Sequence, residues 1–312
     1  EDLRRIEDVA TTGKVPANRE IVEVVPHSYS LDGQENIKDP LGMTGTRLEI
    51  NANVVSALAP HLHNLQKSAE LAKVDARTIV PSVLAGARAV LDEQQIENGV
   101  AVVDMGGATT SVAVFEEGDL QYVGVIPIGG MNITNDLAIG LKTDPSIAEE
   151  VKLKHASAVS RSENSGISMK DGDEILSFSS SDIDEIIDAR LEEIFEAVQH
   201  ELKKAGRAGK LPSGVVLTGG AANMKHMVEY AKEKLGLAVR VGKPKGFGGV
   251  SDEVEQPEYA AVAGLMLIDA ENGMNNRGSG RSGSHKVDTM AAKKSLKKAS
   301  GVVSNFLGRF KV

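Results

Sequence analysis

The chain has 312 residues, a mass of 32.9 kDa and a formal net charge of −9, so it is long enough for two to three domain-sized units. It contains no cysteine, which excludes a disulfide framework, a cysteine nucleophile and a thiolate metal site and is typical of a reducing cytoplasm. Aromatic residues make up 3% of the chain and tryptophan is absent, which argues against a nucleic-acid surface built on base stacking.

The N-terminal part of the sequence predicts short helices and strands separated by turns. Residues 1–6 have the pattern of the middle of a helix and not of a secretory leader, so we expect the sequence to begin inside a longer protein. A strand is predicted over 21–25, ended by Pro26, and a helix over 54–73. The other elements predicted here are turns at 32–33 and 39–42, a strand edge at 47–50, a short strand after residue 77 and a helix over 82–95.

Further along the chain, strands and helices alternate, which predicts an α/β fold. Strands are predicted at 99–104, 111–115, 120–128, 214–218 and 239–241. Helices are predicted at 132–140, 145–154, 182–204 and 258–269, with a further helix directly after residues 219–223. Residues 157–181 are polar and have no clear strand pattern. Residues 272–285 are rich in glycine, asparagine and serine and predict a flexible linker.

The first chemical motif lies between the strands at 99–104 and 111–115. It comprises Asp104, Gly106, Gly107, Thr109 and Thr110. Glycines at a hairpin tip allow backbone N–H groups to approach a phosphate, the two hydroxyls add donors, and the aspartate can hold the water shell of a metal ion. An ordinary tight hairpin explains the motif equally well when it is taken alone.

The second motif follows the buried strand at 214–218 and comprises Gly219, Gly220, Ala221 and Asn223. A helix that begins there would present unpaired N–H groups and a positive dipole end to an anion or a polar ring edge. A plain strand-to-helix turn is the alternative. The sequence is not a Walker P-loop, because it lacks the GK[ST] residues.

Two glycine-rich turns of this kind, each after a buried strand, resemble the phosphate-2 and adenosine loops of the actin-like ATPase superfamily. The stretch at 126–138, with Gly129 and Gly130, is similar to the signature that follows the phosphate-2 hairpin in the FtsA family of bacterial cell-division proteins. The stretch at 39–48 resembles that family's P-x-G-M-x-G-x-x-L sequence. The resemblance implies an α/β actin-like ATPase fold with ribonuclease-H-like subdomains and an inserted subdomain 1C. No counterpart of the phosphate-1 hairpin is found, so the N-terminal part of subdomain 1A is expected to be missing.

The resemblance also divides the chain. It implies a partial subdomain 1C at 1–74, the remainder of 1A at 75–98, subdomain 2A at 99–133 and 213–271, subdomain 2B at 134–212, a linker at 272–292 and a membrane-targeting helix at 293–312.

A helix at 148–152 resembles the family's A-E-x-[IV]-K sequence, in which Glu and Lys flank the adenosine. Glu149 and Lys152 are three residues apart and therefore share a helix face. Without the resemblance, a solvated surface ion pair is the simpler interpretation. The cofactors implied are ATP and Mg²⁺ in the intact protein, with no metal site independent of the nucleotide. His61 and His63 lie on different helix faces and have no evident third ligand.

The C-terminal segment differs from the rest of the chain in charge. Seven Lys and Arg residues and one Asp lie between residues 286 and 312, so the preceding residues are strongly acidic. Apolar residues recur at spacings of three and four with cations beside them, which predicts an amphipathic helix that lies on an anionic membrane. A terminal helix packed on its own body is the alternative. The predicted membrane-binding residues are Leu296, Lys297, Lys298, Val303, Phe306, Leu307, Arg309, Phe310 and Lys311.

The function implied by the resemblance is that of a peripheral protein on the cytoplasmic side of the cell membrane at the division septum. It would tether FtsZ filaments to the inner membrane, with FtsZ received by subdomain 2B, form actin-like filaments and contact other division proteins of the divisome. It would bind ATP and hydrolyse it slowly at most, and it would bind no nucleic acid. The alternatives are a small-molecule kinase of the same superfamily and an actin-fold pilus-assembly scaffold, neither of which needs a basic amphipathic tail.

Overall fold

The computed structural model describes residues 2–11, 15–76, 78–171, 174–246 and 254–278, and it forms three sheets with helices packed around them. The described N-terminal elements are α1 (Asp2–Thr11), β1 (Arg19–Leu31), β2 (Gln34–Ile37), β3 (Leu48–Leu58) and α2 (Ala59–Leu71). Within these ranges no helix is both long enough and apolar enough to cross a bilayer.

The first sheet has the order β2-β1-β3 with antiparallel pairing. The turn predicted at 32–33 is confirmed, because Asp32 and Gly33 have φ of 50° and 86° and join β1 to β2. Pro26, however, was expected to end its strand, and β1 instead continues through it. Pro26 pairs with Ala52 of β3 beside a β-bulge, and bulges and unpaired edges are where a strand tolerates a residue without an N–H group.

The helix predicted over 54–73 was wrong at its start. Residues 54–58 belong to β3, where Val54 pairs with Val24 and Val55 with Glu23, and α2 begins only at Ala59. β-Branched valines favour the pleated strand, and pairing with β1 outweighs the apolar spacing that suggested a helix.

The helix predicted over 82–95 was also wrong, because the structure has two short helices there. These are α3 (Ser82–Val90) and α4 (Glu93–Asn98). Asp92 has an extended backbone and forms a capping box with Gln95, which starts α4 anew. The described residues around 78–81 form no strand.

The second sheet has five strands in the order β10-β9-β4-β5-β6. Its strands are β4 (Val100–Met105), β5 (Thr110–Glu116), β6 (Asp119–Ile126), β9 (Val215–Thr218) and β10 (Val239–Val241). The first three form an antiparallel meander, and β9 and β10 add to β4 in parallel. The strand predictions in this region are confirmed to within a few residues.

Both faces of this sheet are covered. One face packs against α5 (Gly130–Gly140), α6 (Pro145–His155) and α7 (Ser180–Lys204), with Val103 and Met105 of β4 in the shared core. The other face, with Val100 and Val102, packs on α3 and on α9 (Ala260–Gly278). Burial on both faces explains why β4 is a continuous apolar run rather than an alternating one.

Three further predictions need correction. Residues 157–181 contain a hairpin, β7 (Gly166–Asp171) with β8 (Glu174–Ser179), whose inward residues Ile167, Met169 and Phe178 are buried. The last helix α9 continues to Gly278, so the first part of the predicted linker at 272–292 is helical. No α-helix directly follows residues 219–223: a 3-10 turn at Gly220–Asn223 precedes α8 (Met227–Leu235).

Candidate functional site

Three backbone segments meet where β4 and β9 end. They are the hairpin tip at 106–109, the start of α5 at 129–131 and the loop at 219–223. β4 and β9 are parallel and paired with Asp104 beside Thr218, so their carboxyl ends lie at one edge of the sheet. The glycine-rich sequences that were separate along the chain are therefore neighbours in the fold.

The hairpin tip is open and offers backbone donors. The amide of Gly106 donates to the carbonyl of Thr109 over 2.9 Å and closes the turn. Gly107, Ala108 and Thr109 are exposed, and in the described part of the chain their amides have no acceptor. Successive free N–H groups of this kind form a concavity suited to an anion.

The two glycines that start α5 serve a different purpose from the one expected. The amide of Gly130 donates to the carbonyl of Gly106 over 2.9 Å, and Gly129 donates to the side chain of Asn132. A Cβ on Gly129 would lie 2.6 Å from the carbonyl oxygens of Gly106 and Gly107. These glycines are buried and already bonded, so they seat α5 against the hairpin tip and are not free donors.

Thr110 also departs from the sequence-based expectation. Its side chain is fully buried, and its hydroxyl donates to the carbonyl of Ile128 over 2.8 Å. Of the two threonines proposed as ligand donors, Thr109 alone is exposed. The Thr110 hydroxyl therefore ties the start of β5 to the segment that joins β6 to α5.

The loop at 219–223 crosses over the end of β4. Gly219 has φ of +85°, and a Cβ there would lie 2.5 Å from the carbonyl oxygen of Met105 and 2.8 Å from Oδ1 of Asp104. Gly220 is exposed and has no atom within 4 Å of the position its Cβ would take. The expected helix dipole is absent, because the 3-10 turn and the residues after it separate these glycines from α8. The loop contributes open backbone instead.

The other two residues predicted in this loop have clear positions. A Cβ on Gly130 would lie 3.7 Å from the methyl group of Ala221, so the loop borders the start of α5. The side-chain amide of Asn223 donates to Glu258 over 2.7 Å. Asn223 therefore ties the loop to the turn that precedes α9.

Asp104 is half-buried and accepts hydrogen bonds on both of its oxygens. Ser82 donates to Oδ2 over 2.9 Å and Thr218 donates to Oδ1 over 3.4 Å. Sequence reasoning found neither of these partners. Thr218 follows from the register of two parallel strands, whereas Ser82 is the first residue of a helix and nothing in the sequence links it to Asp104.

Glu149 and Lys152 are on α6 and face α5. The ammonium of Lys152 donates to Glu149 over 2.6 Å, to the hydroxyl of Thr134 over 2.8 Å and to the carbonyl of Gly130 over 3.1 Å. Thr134 also donates to the same oxygen of Glu149. Burial alone would raise the pKa of Glu149, but the hydrogen bonds from Lys152 and Thr134 outweigh it and lower the pKa.

These bonds use all three protons of the ammonium group, and Lys152 is 13% exposed whereas Glu149 is 41% exposed. Glu149 is thus the member of the pair with an accessible side chain. The pair is not the solvated surface ion pair that was the simpler interpretation of the sequence.

The residues present fit a nucleotide phosphate with a hydrated cation. The hairpin tip supplies free backbone donors, Asp104 supplies a carboxylate two residues before the tip, and Gly220 leaves the adjoining loop open. No cluster of three or more His, Asp and Glu side chains suited to a metal ion occurs among the described residues. All nine predicted membrane-binding residues, from Leu296 to Lys311, lie outside the described residues.

The family models and the curated relatives that match this chain point to the same family. A family model described as "Cell division protein FtsA" matches residues 101–264, and one described as "SHS2 domain inserted in FTSA" matches residues 1–56. Curated relatives described as "Cell division protein FtsA" include those of Pseudomonas aeruginosa (36% identical over 85% of this chain and 65% of the relative), Bacillus subtilis (37%, 87% and 61%) and Escherichia coli (30%, 88% and 68%). The chain thus spans 61–65% of the length of the first two.

Solved structures show the fold. The type IV pilus biogenesis complex PilM-PilN matches with a TM-score of 0.62 at 17% identity, over 86% of this chain and 73% of the other. MreB5 of Spiroplasma citri bound to ADP matches with a TM-score of 0.58 at 16% identity, over 71% and 68%. These likenesses confirm the predicted actin-like α/β fold.

Proposed function

The chain belongs to the FtsA family of cell division proteins, and we propose that it acts by binding ATP with Mg²⁺ at the edge of the sheet where β4 and β9 end. The observation that carries this proposal is the row of exposed, unbonded amides at 107–109, which follows Asp104 at the end of β4. The amides would bind phosphate oxygens, and Asp104 would orient the water shell of the cation. When bound, Mg²⁺ neutralises phosphate charge.

Glu149 would contact the adenosine, because its side chain is accessible, whereas the ammonium of Lys152 is held by its hydrogen bonds to Glu149, Thr134 and Gly130. Any ATP hydrolysis would be slow. Asp104, near the end of β4, is assigned to the water shell of the cation, and no residue of the proposed site is assigned as a general base.

The nucleotide site is tested by titrating fluorescent ATP into purified variants of the intact protein. Asp104→Ala and Gly220→Val are expected to abolish binding, the first by removing the carboxylate and the second by filling the open loop. The matched control is Gly166→Val at the start of β7, where a Cβ meets only Ser177 at 3.8 Å. Normal binding by both site variants would refute the assignment.

We also propose that the protein tethers FtsZ filaments to the cytoplasmic side of the membrane at the septum. Support comes from the family and from the basic, periodically apolar sequence at 293–312. Co-sedimentation with vesicles that contain anionic phosphatidylglycerol should be lost when 293–312 is deleted and should be weak with neutral phosphatidylcholine vesicles. Equal binding with and without the segment would refute the tether.

The partner surface proposed for FtsZ is subdomain 2B, which comprises α6, α7, the β7–β8 hairpin and most of α5. A peptide of the FtsZ C-terminus should bind the chain with saturable affinity, and absence of binding would refute the division role as stated. Self-association into an actin-like filament is proposed as well. The family match supports the division role over the alternatives of a small-molecule kinase and a pilus-assembly scaffold.

A further inference from the structure

The carboxylate of Asp104 is held by one hydroxyl on each oxygen. Ser82 donates to Oδ2 over 2.9 Å, and Thr218 donates to Oδ1 over 3.4 Å. A carboxylate bonded on one oxygen can still rotate about its Cβ–Cγ bond, whereas bonds on both oxygens fix its plane. Each oxygen keeps a second lone-pair site after these bonds, so Asp104 can still accept a bond from a ligand.

The two hydroxyls come from different parts of the fold. Thr218 is fully buried and is placed by its pairing beside Asp104 in the sheet. Ser82 is the first residue of α3. One turn later, a Cβ on Gly86 would lie 3.8 Å from the hydroxyl oxygen of Thr218, so the same face of α3 runs past both hydroxyl contacts.

Ser82 does not act as a helix cap. The N-cap position of α3 is Pro81, and no side chain caps this helix. A serine at a helix start usually bonds to a backbone amide of the first turn, whereas the hydroxyl of Ser82 is bonded to Asp104. Ser82 is also exposed, so its removal leaves no cavity in the core.

We propose that Ser82 is a positioning residue that aligns Asp104 toward the hydrated Mg²⁺ of a bound nucleotide, with Thr218 as its buried counterpart. This inference rests on the proposed nucleotide site. If Ser82 positions Asp104, loss of the Ser82 hydroxyl should weaken the part of ATP binding that depends on Mg²⁺. Binding that does not depend on Mg²⁺ should be unchanged.

The test measures fluorescent ATP binding by the intact protein with Mg²⁺ and with excess EDTA. Ser82→Ala should reduce the Mg²⁺-stimulated affinity by about 10-fold, the lower end of the effect of removing partners that orient metal-site groups. Ser82→Thr keeps the hydroxyl and should restore the wild-type affinity. Ser68→Ala on α2, which also removes an exposed hydroxyl that donates a hydrogen bond, should have no effect.

Asp104→Asn connects the inference to the site. It should abolish the Mg²⁺ stimulation, and adding Ser82→Ala to it should cause no further loss, because Ser82 acts through Asp104. If Asp104→Asn abolishes the stimulation but Ser82→Ala does not weaken it, or weakens binding equally in EDTA, the positioning role is refuted and the nucleotide site stands. If the unmodified intact protein shows no Mg²⁺-stimulated binding, or Asp104→Asn retains it, the proposed function itself is refuted.

Discussion

Substitution by alanine should destabilise the protein strongly at Gly219 and hardly at all at the adjacent Gly220. Gly219 has φ of +85° and ψ of 165°, a region that is essentially restricted to glycine. A Cβ at Gly219 would lie 2.5 Å from the carbonyl oxygen of Met105 and 2.8 Å from Oδ1 of Asp104. At Gly220 the backbone is not in the positive-φ region and the space is empty.

The expected cost of Gly219→Ala has two parts. Holding a residue with a Cβ in this backbone region costs about 1–3 kcal/mol, and forcing a methyl group against a backbone carbonyl costs roughly another 1–3 kcal/mol. The free energy of unfolding should therefore fall by about 2–6 kcal/mol. The same change at Gly220 should stay within about 0.5 kcal/mol, as is usual for an open surface position.

Thermal unfolding followed by circular dichroism is the measurement. At roughly 2–4 °C per kcal/mol for a body of this size, Gly219→Ala should lower Tm by about 5–20 °C and Gly220→Ala by no more than a few degrees. Equal shifts for the two variants would show that the loop does not cross β4 as closely as the structure has it.

Two side-chain pairs in the body give further tests. Arg161→Met should lower the free energy of unfolding by about 3–5 kcal/mol, because it leaves the buried carboxylate of Asp184 without its guanidinium partner. Urea unfolding measures this loss, and it should be smaller when Asp184→Asn has already removed the charge of the carboxylate. An equal loss in both backgrounds would contradict the prediction. Tyr122→Phe should lower the free energy of unfolding by about 1–3 kcal/mol, because it removes the hydroxyl group that donates to Glu201. Burial tends to raise the pKa of Glu201, but hydrogen bonds, that of Tyr122 among them, lower it, so its stabilisation is full above about pH 4.3 and is lost as pH falls through the lowered value. As the pH is lowered from 5, Tyr122→Phe should therefore lose less Tm than the parent protein. Identical dependence of Tm on pH in the two proteins would contradict this.

Patterns that are local in sequence predicted the main features of the site. The tips at 106–109 and 219–220 are recognisable because glycine occurs where a strand must turn sharply, and in the structure Gly219 has a φ of 85°. The apolar runs of β4 and β9 were equally clear, since a strand buried on both faces has no alternation to misread.

The failures occurred where distant residues decide the structure. Val54 and Val55 fit a helical spacing, yet their partners on β1 make them strand. Ser82 is 22 residues from Asp104 along the chain, and only the packing of α3 against the sheet brings them together. Thr110 looked like a second ligand donor, but its hydroxyl is buried because the alternation of the strand turns it inward, away from the tip.

The Glu-Lys pair shows how a family motif can be recognised correctly while its physical role needs the structure. The sequence suggested that Lys152 reaches a ligand, but its ammonium is bonded to Gly130, Thr134 and Glu149. Because Gly130 is also bonded to the carbonyl of Gly106, Lys152 braces the backbone that supports the hairpin tip. Under the proposed function, Lys152 would therefore act on the hairpin tip only indirectly, through the start of α5, whereas the side chain of Glu149 stays accessible.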